Sequence, residues 1–458
     1  MLKRAMYGLI VFCVCFSCMC GCTSGTENSE TSEIPEETSQ PETPDTHSEP
    51  EDSTESFTTY ITPEQFGARG DGIADDTEAF EKCMSDPEKN VLLSGKYLIT
   101  GNIEAASEKY FMAETDDGKT GASVICEPVS NSKTLTFKDN VTFENIEFYS
   151  TFVRNGQSPH KEVYAHTSNV VFVEVWNKNG TFKNCTFTNA LIAVRGRKSE
   201  ASSVIPHSIA VSGCTFTECK IPVQGYSENT LVTGSTFLND GDLYGGDHCV
   251  YIERYGCKSL TVQDCLVETK NSESGHAFQI YGDPGPDDVI PDLQIRNCEI
   301  YANGITSSSA ANVTVEDCKF VEQSSGQFIL IAESGSAAVR NCEFHHAYAF
   351  SYADSSVKPY AENCVFERMT SLGDEWCNFP FESVRCQYIN WGGNVRLPDT
   401  RFTDCTFSYT ERETLNGLYI SNRQGYTVYL KNIRFQSGSD ITNNENAVKE
   451  STGCSTFD

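Results

Sequence analysis

TFKNCTF (181–187), LQIRNCEI (293–300), VTVEDCKF (313–320) and AVRNCEF (338–344) are one phrase written four times: a β-rich run, a corner residue, Cys, a variable residue, then Phe or Ile. Looser copies extend it in both directions, placing the corner at Asn145, Asn184, Gly213, Gly234, Asp264, Asn297, Asp317, Asn341, Asn363, Asp404 and Asn432, with a weaker copy at Arg385. The eleven intervals between 145 and 432 average about 26 residues, and self-similarity at such a period means a solenoid. Asn, Asp and Gly tolerate the left-handed backbone of a sharp corner, so each copy reads as strand, one-residue corner, strand. A further strand follows, as in LIAVRG (191–196), KIPVQG (220–225), CVYIER (249–254) and AFQIYG (277–282). Val, Ile, Thr and Phe alternate with a period of two, which argues against leucine-rich or helical repeats. The expected fold is all-β: a single-stranded parallel β-helix with three short strands per turn. Twelve turns at about 4.8 Å each would reach roughly 58 Å.

The repeat explains the 21 cysteines. Cys185, Cys214, Cys265, Cys298, Cys318, Cys342, Cys364, Cys386 and Cys405 share one repeat position and should stack as a column of small buried thiols, since free Cys behaves as a compact hydrophobe. Parallel side chains suit the disulfide torsion poorly. Phe187, Phe216, Phe320, Phe344, Phe366 and Phe407, two positions later, should form an interior stack beside them. No CxxC follows Cys22 and no HExxH occurs, which argues against a zinc site.

Residues 1–21 carry Lys3 and Arg4, an apolar stretch from Leu9 to Phe16, and small residues before Cys22, the pattern of an export signal. Met19-Cys20-Gly21-Cys22 resembles a bacterial lipobox, implying lipidation of Cys22 and a membrane anchor on the extracellular face. Residues 23–56 are mostly Ser, Thr, Pro and acidic residues without Lys or Arg, a composition that cannot form a core. Fully stretched, such a spacer reaches about 110 Å. The β-helix domain is expected over 57–435, with its N-terminal cap and first turns in 57–103 and a polar tail at 436–458. With a net charge of −30 and no cluster of Lys or Arg along the chain, nucleic acid is excluded as a partner.

The domain opens with PEQFGARGDGIADDTEAFEKC (63–83) and NVLLSGKYLITGNI (90–103). The pattern FGA-x-GDG-x-x-DDT, an amphipathic helix, then Gly-x-Tyr, resembles the rhamnogalacturonase/epimerase-like pectate lyase domains of the pectin-lyase-like superfamily. That resemblance, covering about 60–435, implies a right-handed parallel β-helix. Ser94 departs from it, since the family usually has Pro there. Read from its residues, the segment is structural: Asp75 or Asp76 can cap a helix beginning near Thr77, whose Phe80 and Met84 would plug the open end of the solenoid. As a calcium loop DGIADDTE fails, because Ile73 stands where an oxygen ligand is needed.

NDGDLYGGDHCVYIERYG (239–256), followed one turn later by SGHAFQIYGD (274–283), is the most suggestive polar stretch. It resembles the Asp-Asp-Cys-Ile-x-Ile and Gly-His-Gly-Ile-x-Ile turns of polygalacturonases. His248 replaces the second Asp, however, and Thr306 and Ser307 stand where the family places Arg and Lys. An inverting hydrolase needs two separate carboxylates, which Asp247 alone does not supply. Two imidazoles, His248 and His276, remain on successive turns about 5–8 Å apart. Tyr251, Glu253, Arg254, Gln279 and Tyr281 are expected on the same sheet as substrate contacts. Abstraction of a proton α to a uronate carboxylate needs a near-neutral base, a cation and a proton donor, which His, Arg and Tyr can provide.

Other candidates are the insertion 150–168 with His160, Lys161 and His166, and His345-His346, for which no carboxylate partner is evident. GDPGPDDVIPD (282–292) could hold calcium, although nothing in the sequence requires a cofactor. Two functions follow as expectations. One is a cell-surface lyase, epimerase or hydrolase acting on an acidic or pectin-like polysaccharide. The other is a non-catalytic glycan-binding or surface-display lipoprotein.

Overall fold

The computed structural model describes residues 59–457 other than 116–120, 128–132, 151–170, 198–204, 240–247, 254–255, 270–275, 282–290, 303, 308–310, 322–328, 332–335, 346–348, 353–358, 369–370, 373–380, 391–393, 396–398, 411–416, 421–426, 438–439 and 444–447. Short strands stack into three parallel sheets of 15, 16 and 14 strands, here called A, B and C in the order that a turn visits them. Within each sheet every strand pairs with the one three elements earlier and the one three later, which is the connectivity of a parallel β-helix.

The corner between sheets A and B is the repeated phrase. Asn145, Asn184, Gly213, Gly234, Asp264, Asn297, Asp317, Asn341, Asn363, Arg385, Asp404 and Asn432 all have φ between +48° and +61°. Even Arg385, a poor residue for this backbone, obeys the position. Neighbouring corners are tied by side chains, as where Asn341 Nδ2 donates to Asp317 Oδ1 (3.1 Å) and Asn363 Nδ2 to Asn341 Oδ1 (3.3 Å).

Inside the coil, the nine column cysteines are at most 3% exposed and all are free thiols. Backbone amides point at the next sulfur along the column, as from Cys298 to Cys318 Sγ (3.4 Å). The phenylalanine stack is present in two runs. Phe148, Phe187, Phe216 and Phe237 stack at 5.0–5.1 Å, and Phe320, Phe344, Phe366, Tyr388, Phe407 and Phe435 at 4.8–5.4 Å. Val267 and Ile300 fill the rungs between them.

The helix Thr77–Ser85 buries Ala79, Phe80, Cys83 and Met84 in the first turns, with Phe80 edge-on to Tyr97 at 5.0 Å. The Asp76 side chain does not cap it. Its carboxylate instead accepts the Arg69 and Gly70 amides (2.7 and 3.2 Å), while Asp75 Oδ1 accepts the Thr77 amide (3.0 Å). Asp71 accepts the Ile73 and Ala74 amides. The acidic motif therefore folds the cap. Gly95 is needed there because a Cβ on it would lie 2.9 Å from Gly70 Cα.

The coil is longer than its repeat suggests. Strands precede residue 140, and the tail beyond 435 is not irregular: Asp440–Asn443, Val448–Thr452 and Ser455–Phe457 add a strand to sheets C, A and B. Gly453 (φ +67°) and Cys454 repeat the corner-Cys step there.

Candidate functional site

Sheet C departs from simple alternation, and this sets the geometry of its outer face. In successive turns two consecutive residues face the core: Phe172 and Val173, Ala193 and Val194, Cys249 and Val250, Ala277 and Phe278. Pro222 and Val223 are likewise both buried. Outward positions on either side of each pair are therefore three residues apart.

The strand register turns this into three parallel columns. The first runs Lys133, Val171, Ile192, Ile221, His248, His276; the second runs Thr136, Glu174, Arg195, Gln224, Tyr251, Gln279. Continuing the register by one residue beyond the paired strands gives the third, which begins Lys138, Trp176, Arg197, Tyr226. Val171, Leu191, Ile192 and Ile221 form an apolar cluster separate from the core, so the first column is an apolar strip ending in two imidazoles.

The two histidines meet as the spacing predicts. Their ring centroids are 5.8 Å apart with planes 11° from parallel, and Tyr251 also stacks against His248 at 5.4 Å. The His276 amide donates to His248 Nδ1 (3.0 Å). That nitrogen is therefore the acceptor of a neutral ring, and the proton sits on Nε2. His248 is 8% exposed, whereas His276 is only partly buried. Cys249, between the imidazole and the core, is no nucleophile, because burial pushes its thiol up to about 12.

Of the other expected residues, Tyr251 and Gln279 lie on the outer face between the imidazoles' rungs and the third column. Glu253 and Tyr281 pair in the same sheet, but their side chains, like all of Asp247 and Arg254, lie outside the described residues. The insertion 151–168, the acidic stretch 282–290 and Cys22 also lie outside them. His345 does have carboxylate partners, contrary to expectation: Nδ1 is 2.8 Å from Glu367 and Nε2 3.2 Å from Glu343, one on the neighbouring turn and one on its own strand. Among the described residues no group of three His, Cys, Asp or Glu side chains is placed to hold a metal ion.

Sequence reasoning missed the cationic end of this face. Glu174 is fully buried on the second column. Arg195 Nε donates to its Oε2 (2.6 Å), Lys133 Nζ lies 2.7 Å from Oε1, and Arg197 lies 3.9 Å from Oε1. The Trp176 indole N–H also donates to Oε1. Lys133 and Lys138 lie over the Trp176 ring at 4.9 and 5.5 Å from its centroid. Burial pulls the Arg195 pKa down while the Glu174 charge opposes the shift. No run of basic residues marks this group, because its members come from three turns between residues 133 and 197. The signal that could have found it is the strand register.

No family model matches the chain, and no curated protein matches it. Solved structures do. The catalytic unit of a thermostable α-1,3-glucanase from Streptomyces thermodiastaticus superposes with a TM-score of 0.50 at 11% identity, covering 88% of this chain and 69% of that one. A surface adhesin of Streptococcus pneumoniae, PfbA, gives 0.42 at 12% identity over 87% of this chain and 91% of its own. The A-module of mannuronan C-5 epimerase AlgE6 from Azotobacter vinelandii gives 0.41 at 12% identity over 87% and 99%. At such identities the likeness shows the fold alone, a parallel β-helix.

Proposed function

We propose that this protein is an exported, surface-anchored carbohydrate-active β-helix protein whose sheet C binds an acidic polysaccharide and acts on it by proton transfer, as a lyase or epimerase. The observation that carries this reading is the outer face of sheet C, where stacked imidazoles, aromatic rings and a cationic cluster lie along one surface within a few turns of each other. Fold alone would not choose among functions, since one solenoid serves many.

The chemistry follows from proton positions. His248, with Nδ1 committed to the His276 amide, presents an Nε2 proton and suits donation; His276, more open, suits abstraction of the proton α to a uronate carboxylate. Elimination would break the bond to the β-oxygen, and epimerisation would return a proton to the opposite face. Hydrolysis fits less well, because Glu174, the described carboxylate on this face of the central turns, is buried and engaged by Lys133 and Arg195. Arg195 is two turns, about 10 Å, from the His248 rung. It cannot neutralise the carboxylate of the reacting sugar, which is bonded to the same carbon that loses the proton.

Incubating the protein with a panel of uronate, sulfated and neutral polysaccharides tests the reading. Unsaturated uronate product or solvent-hydrogen exchange at the α carbon is expected on an acidic member; no change on any of them would refute the catalytic part. Non-catalytic glycan binding and display is the second reading, favoured by the structural use that the fold makes of His248 Nδ1. Binding that survives Ala replacement of both His248 and His276, without turnover in the wild type, would select it. For the anchor, Cys22→Ala should release the protein from the membrane fraction into the medium; retention there would remove lipidation from the account.

A further inference from the structure

The outer face of sheet C carries side-chain amides whose oxygens have no donor. Among the described residues four amide oxygens are buried without a hydrogen-bond partner: Asn177 Oδ1, Asn189 Oδ1, Gln224 Oε1 and Gln279 Oε1. All four belong to sheet C or to the corners that enter and leave it. Sheet A, built from the same turns, pairs its amide oxygens rung to rung, as where Ser208 Oγ donates to Asn179 Oδ1 (3.0 Å) and Ser259 Oγ to Asn229 Oδ1 (2.9 Å). We propose that Gln224 and Gln279 are specificity-determining residues, each accepting a hydrogen bond from a free hydroxyl of the glycan, so that the face selects chains whose hydroxyls are not acylated. This rests on the reading of sheet C as a glycan face and deepens it.

The register sets both amides beside the imidazoles. Gln224, Tyr251 and Gln279 occupy successive rungs of the second column, while Ile221, His248 and His276 occupy the same rungs of the first. Gln279 therefore shares a rung with His276, and Gln224 stands two rungs away, about 10 Å, beside the apolar Ile221. Rungs of about 4.8 Å are comparable with the length of one hexose unit. A chain lying along the coil axis brings hydroxyls of the reacting unit to Gln279 and those of a unit about two residues along to Gln224. Ile221 meets the C–H face of that second sugar, the usual division of a ligand site into apolar contact and a few orienting polar groups.

Burial without a partner fixes what the ligand must bring. A buried acceptor left unmade costs free energy in the unbound protein, and a ligand O–H recovers it. A carboxylate or an ester has no proton to give and cannot. Both glutamines are half-buried, and the terminal amide torsion is soft, so the oxygen turns to a ligand with little strain. A sugar acylated at that hydroxyl leaves the oxygen unpaired, which is how a site built for hydrogen bonding rejects an analogue that lacks the donor.

The proposal moves stability and binding in opposite directions, which a structural role for these amides would not. Gln224→Met and Gln279→Met keep length and packing while removing the unpaired oxygen. Melting temperatures of both, in the otherwise wild-type protein, should hold or rise. Binding is read by calorimetry in a His276→Ala background, so that failure of the catalytic reading leaves the measurement intact. The probes are galacturonate and mannuronate tetramers and the O-acetylated form of each. The His276→Ala parent should bind one of the free tetramers about tenfold more tightly than its acetylated form, and each Met substitution should weaken the free tetramer about tenfold and narrow that preference. A fall in melting temperature with binding unchanged would make the amides structural and overturn the proposal. An acetylation preference that survives both substitutions is steric and overturns it as well. Equal affinity of the parent for free and acetylated forms overturns the hydroxyl reading alone, with glycan binding intact. No binding of any tetramer overturns it together with the glycan reading of the face.

Discussion

The corner between sheets A and B and the outer face of sheet C are built from the same turns, yet they carry opposite kinds of information. At the corner one conformation recurs from Asn145 to Gly453, and nearly every copy uses Asn, Asp or Gly. On sheet C the second outer column reads Thr136, Glu174, Arg195, Gln224, Tyr251, Gln279, five residue types in six positions with only Gln used twice. What is repeated holds the coil together, and what is unrepeated at a repeated position is free to hold chemistry. A solenoid thus separates stability from function by register rather than by domain.

Breaking each region should hurt differently. The largest effect is expected on sheet C, where Arg195→Met leaves Glu174 buried with its main partner gone and should cost about 3–5 kcal/mol in chemical denaturation. Adding Glu174→Leu should recover most of that loss; a double variant as unstable as the single one would show that packing, not charge, is at stake. In the interior, Phe344→Ala should cost a comparable 3–5 kcal/mol or so, because it opens a cavity between Phe320 and Phe366. Glu343→Ala, one residue away and exposed, should shift stability by less than about 0.5 kcal/mol. Equal melting shifts for that pair would refute the register.

At the corner, Asn363→Ala should cost about 1 kcal/mol for its φ of +53°, whereas Asn363→Gly should be nearly neutral, as Gly213 and Gly234 already show by occupying the equivalent site. The smallest effect is a null one. Burial pushes the Cys219, Cys249 and Cys257 thiols up to about 12, so at pH 8 in the folded protein they should not react with a thiol reagent, and unfolding should release them together. Rapid labelling in the native state would show that the coil opens locally.

The repeated region was legible in the sequence because a corner residue, a buried thiol and an aromatic ring recur at fixed offsets. The imidazole pair was legible for the same reason: His248 and His276 precede equivalent strands. The cationic end was not, for two physical reasons. Its residues lie on strands separated by a long insertion, between Phe137 and Val171, where the period is lost. In addition, strict alternation misassigns the outer face, since two successive residues such as Ala193 and Val194 point inward and move the next outward position to Arg195. The final turn was overlooked although Gly453-Cys454 repeats the phrase, because the polar residues around it hid the strands.

The central claim is that the outer face of sheet C handles an acidic glycan through its imidazoles. Its most direct test is the turnover rate of wild type and His276→Ala, both with native circular dichroism, on the acidic polysaccharide that the wild type converts. The account predicts a fall of about 10²–10⁴-fold in the variant, the usual cost of losing a general base. Rates within a few-fold of each other would contradict it and move the chemistry off this face.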